Sequence, residues 1–359
     1  MKISARHSLC GARSNGIEGP PIWGEPACAR VTVTGRHRKG TTMTAVGIDV
    51  AKHTLAVDLM LPDGRHRQKH CANASAGHAE LVRWLGRYAV APVAIGVEAT
   101  GGYQEAVAIV LHDAGFAVSV LNPAAIAAYG ASQLRRAKTD PTDAALIADY
   151  MRTQTPPVWT PAPVEARQLQ ALVRRLDALL EMRTQESNRL ELAAAIVRPS
   201  ITATVAHLDT QIATVKQQIA HHIDQHPTLR AQRDLVQSIP GIGETTAAIV
   251  LGELLDIARF TSARQLAAFT GLVPRVRQSG TSVRGHGTLS KLGSSRLRKA
   301  LYFPALTAVR YNPILTRFAA RLRAAGKAKM VIVAAVMRKL IHQIYGVLRS
   351  GRAFDPTRA

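Results

Sequence analysis

Two stretches of the chain place acidic side chains where the surrounding pattern predicts buried strands. Asp49 lies inside the apolar run GIDVA, and Glu98 ends a second apolar run, GVE, before a pair of glycines. A buried carboxylate is unfavourable unless it has a partner, so both acids require one. A strand that leads into glycines is typical of the carboxyl edge of a parallel sheet, where α/β proteins place their sites.

A third stretch, KTDPTDAALIADYM at 138–151, holds two aspartates three residues apart. Asp140 can cap a helix, Pro141 is tolerated at the first helical position, and Asp143 falls in the first turn, which favours acids. At positions i and i+3 the two carboxylates also share one helical face. Helix capping and metal binding are therefore compatible interpretations of this pair.

The acids of these three stretches suit one chemistry if they converge. Four carboxylates at one site repel one another unless divalent cations lie between them, and Mg²⁺ or Mn²⁺ suits such oxygen ligands and leaves room for phosphate. We therefore expect Asp49, Glu98, Asp140 and Asp143 to be metal ligands. The alternative is four unrelated acids. Asp58, in the second predicted strand, is a weaker fifth candidate that we expect to be exposed to solvent.

A basic, glycine-rich stretch, GLVPRVRQSGTSVRGHGTLSKLGSSRLRKAL at 271–301, contains a candidate nucleophile, Ser279. A serine hydroxyl alone is a poor nucleophile, and nearby cations would stabilise its alkoxide and the charge on an attacked phosphate. A loop that only binds phosphate is the alternative, and other serines compete for the role: Ser282, Ser290, Ser294 and Ser295. The candidate nucleic-acid contacts are Arg275, Arg277, Arg284, Lys291, Arg296 and Arg298.

The stretch SIPGIGETTAAIVL at 238–251 resembles a helix-hairpin-helix motif. Gly241 and Gly243 would let backbone N–H groups and a helix N-terminus approach a phosphate. A tight turn between two core helices is the alternative interpretation.

The elements that position these residues follow an α/β order. Three antiparallel strands, a helix, and then strands alternating with helices predict an RNase H-like fold. The expected strands cover 44–52, 54–65, 66–72, 93–103 and 116–123. The expected helices cover 76–88 and 104–114, with short helices to about 152.

The chain divides into five predicted segments. Residues 1–42 form a disordered extension with a possible misassigned start, because Met43 directly precedes the first strand. The RNase H-like domain with the four candidate metal ligands covers 43–153. A Pro-rich linker and a helical hairpin cover 154–232, where apolar residues every three or four positions, including Leu176 and Leu180, predict a coiled coil or an ordinary helical pair. A basic, mostly α-helical domain covers 233–350, and a tail covers 351–359.

Charge is concentrated at the C-terminal end of the chain. Residues 260–359 hold 19 of the 46 Lys and Arg residues but one of the 24 acids, Asp355. Such an excess requires a polyanion, and nucleic acid fits better than a membrane because Gly, Ser and Thr interrupt the basic residues. The three cysteines, Cys10, Cys28 and Cys71, form no metal or disulfide pattern, and the N-terminus lacks a signal-peptide apolar region. We expect a cytoplasmic protein in a reducing compartment.

Together these motifs resemble those of a known family: insertion-sequence transposases with an N-terminal DEDD, RuvC-like domain and a C-terminal serine domain, the bridge-RNA-guided recombinases. The resemblance covers about 44–345. It is carried by GIDVAK, GVEATGGY, KTDPTDA, PGIG and GLVPRVRQSG, in that order along the chain. The 42 residues before Met43 depart from the family pattern, which begins just before the first strand.

The resemblance implies specific roles and partners. The four acids would be the DEDD metal ligands, and Ser279 would attack a DNA phosphodiester to form a phosphoserine link. The active site would be composite between protomers of a dimer that assembles to a tetramer. A structured guide RNA would select the DNA. Two alternatives remain: a RuvC-like nuclease, such as a junction resolvase, that uses water as its nucleophile, and a non-catalytic nucleic-acid-binding remnant of an element.

Overall fold

A computed structural model describes residues 43–90, 92–134, 139–275, 278–279, 283–284 and 288–358. The predicted extension at 1–42 lies outside these residues, as do Arg277 and Ser282. The chain divides into two compact units, 1–158 and 159–359, which are described separately below.

The first unit is built on a mixed five-stranded sheet. Its strands lie in the order β3-β2-β1-β4-β5, with β2 antiparallel to both β1 and β3, and with β4 parallel to β1 and β5. The strands are β1 Thr44–Val50, β2 Thr54–Met60, β3 His66–Ala72, β4 Val93–Glu98 and β5 Ala117–Leu121. β1 and β2 are buried along nearly their whole length, so both faces of these central strands are covered, whereas β3 at the edge is mostly exposed.

Four helices accompany this sheet: α1 Ser75–Tyr88, α2 Glu105–Asp113, α3 Pro123–Ser132 and α4 Asp140–Gln154. Buried apolar side chains of α4 pack with those of the sheet. The element order agrees with the predicted one, and a mixed α/β unit of this kind is consistent with an RNase H-like DEDD domain. The predicted strand at 93–103 is shorter than expected, because it ends at Glu98 before Gly101 and Gly102 adopt positive φ.

The second unit begins with a helical hairpin, α5 Val164–Leu192 and α6 Arg198–Gln225. Its buried seam includes Leu176 and Leu179 on α5, whereas Leu180 is 37% exposed. The prediction that Leu180 belongs to the buried seam is therefore wrong by one residue, because Leu179 is buried in its place. An ion pair joins the two helices of the hairpin: Arg183 Nε on α5 lies 3.1 Å from Asp209 Oδ1 on α6.

The rest of the second unit is mostly helical. Its core cluster draws apolar side chains from the hairpin and from the later helices. Those helices are α7 Pro227–Gln237, α8 Glu244–Leu254, α9 Ala263–Phe269, α10 Ser295–Ala300, α11 Tyr302–Tyr311, α12 Pro313–Ala324 and α13 Lys329–Ser350.

The predicted glycine-rich loop at 271–295 contains short strands where an irregular loop is expected. The pairs are β6 Pro274–Arg275 with β9 Thr288–Leu289, and β7 Gln278–Ser279 with β8 Val283–Arg284. Both pairs are antiparallel and two residues long. Elements this short carry no readable periodicity, so sequence reasoning could not have found them.

Among the described helices, α13 alone is long and apolar enough to cross a membrane by length and composition. Seven of its residues, from Ile332 to Val347, are buried in the second unit. The core helix of a soluble protein passes the same test.

Candidate active site and nucleic-acid surface

The parallel pairing of β1 and β4 brings two of the candidate ligands side by side. Ile48 of β1 is paired with Val97 of β4, so the next residues, Asp49 and Glu98, occupy neighbouring positions. Side chains alternate between the faces of a sheet, so both acids share the face opposite to Ile48 and Val97. Both are half-buried and both have interaction partners. The expected carboxyl-edge placement of this pair agrees with the register.

Two glycines on the same face allow α4 to lie directly on these strands. A Cβ on Gly47 would lie 2.0 Å from the Ala144 carbonyl oxygen, and a Cβ on Gly96 would lie 2.7 Å from Cγ of Met151. Each glycine precedes a candidate acid by two positions, so glycine and acid share a face. The helix therefore covers the glycines and leaves the acids at its edge.

The direction of α4 brings its first turn toward those acids. Ala45 belongs to the cluster that contains Met151, whereas Gly47, two residues further along β1, meets Ala144. The helix positions in contact with β1 therefore move toward the N-terminus of α4 as the strand advances. Continued by two residues to Asp49, this trend reaches the first turn of α4.

That first turn holds the other two candidate ligands. Asp140 is the first helical residue and is exposed, and Asp143 is half-buried. The predicted capping role of Asp140 is wrong: the N-cap is Thr139, whose N–H donates to Oγ1 of Thr142 at 3.0 Å. The two threonines satisfy the start of the helix, so neither carboxylate is needed as a cap.

Asp49 and Glu98 thus lie side by side on the sheet, and the direction of α4 leads us to expect Asp140 and Asp143 toward the same edge. Within the ranges that the structure describes, no three Asp, Glu, His or Cys side chains are close enough together to hold a metal ion. The chemistry of the set still fits a hard divalent cation, because every donor is a carboxylate oxygen. The metal-ligand roles of these residues remain a prediction.

Asp58 contradicts the expectation of solvent exposure. Its residue is fully buried, and its carboxylate contacts Nδ1 of His66 at 2.7 Å and Nε2 of Gln68 at 3.3 Å. The pairing of β2 with β3 sets Asp58 opposite Gln68, which brings these polar partners onto one face. A buried carboxylate is tolerated here because it is hydrogen-bonded. The strand pattern could not show this, since the partners come from the neighbouring strand.

The backbone of Ser279 lies in β7, where Ser279 is paired with Val283 of β8. One arginine ties together the two ends of the segment that carries it. Nη1 of Arg298 donates to the Thr270 carbonyl at 3.0 Å and reaches the Lys291 carbonyl at 3.5 Å. Arg298, a predicted nucleic-acid contact, thus has a structural role in closing the base of this segment.

Other residues also hold the base of this segment, which we call the serine segment (271–293). The guanidinium of Arg338 donates to the Leu272 carbonyl at 3.2 Å. Gly293 has a φ of 138°, and a Cβ there would lie 2.3 Å from the Phe269 carbonyl oxygen. A side chain at this position would therefore push the two ends of the segment apart.

The competing serines have identifiable local roles. The hydroxyl of Ser294 accepts from the Leu297 N–H as the N-cap of α10, and donates to Oε2 of the buried Glu253 at 3.4 Å. Ser290 Oγ accepts from the Leu292 N–H at 3.4 Å. Ser295 is exposed at the start of α10.

The predicted nucleic-acid contacts differ in their surroundings. Arg275 and Lys291 are exposed. Arg296 is exposed but lies 3.7 Å from Asp177, which also accepts from Lys299 at 3.0 Å. Part of the positive charge of α10 is therefore used to hold α5. Arg284 lies in β8, and Arg277 falls outside the described residues.

The glycines of the candidate helix-hairpin-helix behave differently from each other. Gly241 has a φ of 105°, and a Cβ there would lie 2.8 Å from the backbone nitrogen of Ala308 on α11. Gly243 is the N-cap of α8, is exposed, and has open space around it. Gly241 thus packs closely against α11, as expected for a tight turn between core helices. The N-terminus of α8, at Gly243, is accessible.

A half-buried histidine, His342, lies in α13 one turn after Arg338. Burial lowers the pKa of His342, and the nearby cations Arg338, Lys339 and Arg264 lower it further. Its Nε2 atom is buried and has no hydrogen-bond partner in the described part of the chain. The neutral form of His342 is therefore favoured over the charged form, which the local sequence did not suggest.

Sequence reasoning missed Gly47, Gly96, Thr139 and Thr142. The signal for the glycines was present in the repeated pattern Gly-x-acid of GID and GVE. The threonine pair could have been read from TDPT, which offers a hydroxyl cap one residue before Asp140.

Two family matches cover most of the described chain, and the first extends beyond the first unit into the helical hairpin. Residues 46–197 match a family described as "Transposase", and residues 233–320 match the "Transposase IS116/IS110/IS902 family". The Pilin gene-inverting protein of Moraxella lacunata is 33% identical over 318 residues, which cover 87% of this chain and 98% of the relative.

Two further relatives are transposases by name. The transposase for insertion sequence element IS1328 of Yersinia enterocolitica is 25% identical over 72% of this chain and 82% of its own length. The transposase for insertion sequence element IS1111A of Coxiella burnetii is 29% identical over 48% of this chain and 56% of its own length. The near-complete match to the Moraxella protein and the two family matches lead to one conclusion: this chain belongs to the IS116/IS110/IS902 family of transposases.

Proposed function

We propose that this transposase is a divalent-metal-dependent DNA recombinase in which Ser279 is the nucleophile. Asp49, Glu98, Asp140 and Asp143 hold Mg²⁺ or Mn²⁺ in this proposal. The observation that carries it is the register of β1 and β4, which sets Asp49 beside Glu98 on the sheet against which α4 packs. A relative named for gene inversion supports strand exchange as the reaction type.

The reaction at Ser279 is a transesterification. The serine oxygen loses its proton and forms a bond to phosphorus, while the bond from phosphorus to one deoxyribose oxygen breaks. That oxygen leaves and takes up a proton, so the DNA strand becomes linked to the protein as a phosphoserine ester. Attack by a sugar hydroxyl of another strand reverses these steps and joins the new strand.

A metal ion held by the carboxylates and the basic side chains of the chain would both stabilise negative charge on the attacked phosphate. A divalent cation, when bound, neutralises charge on the attacked phosphate and lowers the barrier to its substitution. The arginines of the serine segment, including Arg275 and Arg284, would stabilise the same charge by hydrogen bonding. Arg298 keeps the base of the segment closed and so limits how far the backbone of Ser279 can move.

The proposed partners are DNA, a structured guide RNA and further copies of the chain. DNA as the substrate follows from the transposase family. The excess of basic residues after position 260 supports binding of more than one nucleic-acid strand. The α5–α6 hairpin supports assembly of a dimer and then a tetramer through coiled-coil packing, because its tip exposes Leu192 and Ile196.

Substitution of the helix-borne acids tests the metal part of the proposal. We expect Asp140→Asn/Asp143→Asn to keep the circular dichroism spectrum, because Thr139 and Thr142 cap α4 without them. The same variant should lose Mg²⁺-dependent cleavage of element-end DNA by at least about 100-fold. It should also lose the rise in melting temperature that Mg²⁺ causes in the parent. Asp113→Asn, at the exposed end of α2, is the matched control.

The alternatives predict different results. A nuclease that uses water would need the acids but would cleave DNA fully after Ser279→Ala. A non-catalytic remnant would bind DNA and show no Mg²⁺-dependent cleavage in any variant. Cleavage that survives intact in Asp140→Asn/Asp143→Asn would contradict the proposed metal site.

A further inference from the structure

A groove formed by α11, the end of α12 and the start of α13 combines positive charge with exposed apolar surface. Its volume is ≈ 790 Å³, and four cations line it: Arg310, Arg323, Lys327 and Lys329. None of the residues assigned above to catalysis or to nucleic-acid contact lies among them. We call it the α11–α13 groove.

The four cations are available for an external anion. All four residues are exposed, and no carboxylate in the described part of the chain forms an ion pair with any of them. The sequence from 302 to 350 contains no Asp or Glu at all. Four like charges in one groove repel one another, so an anionic ligand stabilises the arrangement.

The backbone fixes where three of these cations lie. Gly326 adopts a φ of 69° in the short connection between α12 and α13, and Lys327 N–H donates to the Leu322 carbonyl at 3.1 Å. This tight turn sets Lys327 and Lys329 beside Arg323 of the last turn of α12. The cluster is thus a consequence of the turn rather than of flexible side chains alone.

An aromatic side chain, Tyr311, also lines the groove, and its backbone is well supported. Tyr311 is 68% exposed, and it directly precedes the fully buried Asn312. The side chain of Asn312 accepts from the N–H groups of Ile314 and Leu315, both at 3.2 Å, and donates to Gln343 of α13 at 3.0 Å. Tyr311 therefore presents its ring from backbone that is held on both sides.

The cations, the aromatic ring and the apolar side chains together indicate which class of ligand the groove binds. The apolar part of the lining comes from side chains such as Leu306 and Ile332, and Tyr311 lines the same groove. Cations suit phosphates, while an exposed ring and an apolar surface suit the faces of bases. In a duplex those faces are stacked inside and cannot reach the ring. Only unpaired nucleotides offer both groups to one groove.

We propose that the α11–α13 groove binds a single strand of DNA, with phosphates on the cations and a base stacked on Tyr311. DNA is chosen because strand exchange by a transposase exposes unpaired DNA ends. The inference therefore rests on DNA as the substrate, but not on the assignment of Ser279 or of the metal ligands. The size of the groove admits a few nucleotides, not a duplex.

Fluorescence anisotropy with a labelled single-stranded DNA of about twelve nucleotides tests the stacking contact. The buffer contains EDTA, so that failure of catalysis cannot affect the result. Tyr311→Leu should weaken single-strand binding about tenfold, whereas Tyr311→Phe should bind like the parent because it keeps the ring. Binding of the matching duplex should change little in either variant.

The charges are tested by a matched pair of double variants. Arg323→Ser/Lys327→Ser should reduce the slope of log affinity against log salt by about 1.4, the value for two phosphate contacts on a single strand. Arg349→Ser/Arg352→Ser removes the same charge from exposed positions outside the groove and should change the slope far less. Circular dichroism checks that all variants are folded.

Three outcomes would overturn the proposal. Unchanged single-strand binding in Tyr311→Leu, together with equal slopes for the two double variants, would exclude the groove as a binding site. A loss of RNA binding without a loss of DNA binding would assign the groove to RNA. A loss of sedimentation with phosphatidylserine vesicles, while the affinity for single-stranded DNA stays the same, would assign it to an anionic membrane surface.

Discussion

The two strand-borne acids each follow a glycine by two positions, and those glycines determine what can pack beside them. Gly47 and Gly96 have no side chain, so α4 lies close enough for a Cβ on either glycine to clash with it. Close packing at this point fixes the position of α4, whose first turn holds Asp140 and Asp143. At the residue scale, the proposed site depends on the absence of a side chain at Gly47 and Gly96 as much as on the four carboxylates.

Replacement of Gly47 by Ala tests this dependence. The new Cβ would lie 2.0 Å from the Ala144 carbonyl and 2.4 Å from the Ala148 nitrogen, so α4 must move. We expect a loss of about 1–3 kcal/mol or more in the free energy of unfolding, measured by urea denaturation. DNA cleavage should fall further than stability, because the first turn of α4 is displaced.

Gly86→Ala is the matched control, because Gly86 lies within α1 and has open space around its Cβ position. It should stabilise the chain by about 0.5–1 kcal/mol through helix propensity. Equal effects of the two substitutions would contradict the proposed role of the close contact between α4 and β1.

The lowered pKa of His342 predicts acid sensitivity. Burial is the main cause, and Arg338, Lys339 and Arg264 add to it. Since the folded pKa lies below the unfolded value of 6.5, the unfolded chain binds more protons as pH falls through this range. Stability contributed by neutral His342 is therefore present above about pH 6.5 and is lost below it.

Thermal unfolding from pH 7.5 to 5 checks this prediction. His342→Gln cannot take up the proton, so its melting temperature should fall less steeply with acid than that of the parent. His207→Gln, at an exposed position of α6, should follow the parent curve. Parallel curves for the parent and His342→Gln would show that this histidine does not contribute.

At the element scale, the serine segment is a pair of short ladders closed at its base. Arg298 donates to the Thr270 carbonyl just before the segment and to the Lys291 carbonyl near its end, and Arg338 donates to the Leu272 carbonyl. Two arginines from α10 and α13 thus hold a glycine-rich stretch whose own strands are two residues long. Such short ladders have little stability of their own.

Hydrogen exchange of Arg298→Gln tests whether this arginine is a structural clamp or a nucleic-acid contact. A hydrogen bond from a charged group contributes about 1.5–3 kcal/mol, so its loss should speed amide exchange in 271–293 at least tenfold. Arg296→Gln on the same helix should leave that exchange unchanged. Unchanged exchange in Arg298→Gln with weaker DNA binding would restore the contact role predicted from the sequence.

The fold of the first unit could be predicted because its strands and helices each carry their own periodicity. Register could not, since hydrogen-bonding partners depend on distant residues: Asp58 is buried because His66 and Gln68 of β3 reach it. The same limit explains Leu180, whose neighbour Leu179 occupies the hairpin seam. The Arg298 clamp joins carbonyl groups, which no side-chain pattern reveals.

At the scale of the whole molecule, the hairpin tip stands out as an apolar surface. Leu192 is 93% exposed and Ile196 is 90% exposed, next to the connection between α5 and α6. Exposed apolar groups at the end of a long hairpin are typical of a contact with another protein surface. This supports the proposed assembly of several copies on DNA.

Charge at the tip should therefore prevent assembly. Leu192→Glu/Ile196→Glu should shift the mass measured by light scattering toward the monomer, with unchanged helical content. Thr202→Glu/Ala203→Glu adds the same charge at exposed positions near the start of α6 and should leave the mass unchanged. An equal response of both variants would exclude the tip as the contact.

The most direct test of the central claim is to map the covalent link between protein and DNA. The full chain is incubated with element-end DNA, the RNA transcribed beside it and Mg²⁺, then denatured, digested and sequenced by mass spectrometry. We predict a nucleotide adduct on Ser279, its absence in Ser279→Ala, and its persistence in Ser295→Ala. An adduct on any other residue, or full cleavage by Ser279→Ala, would contradict the account.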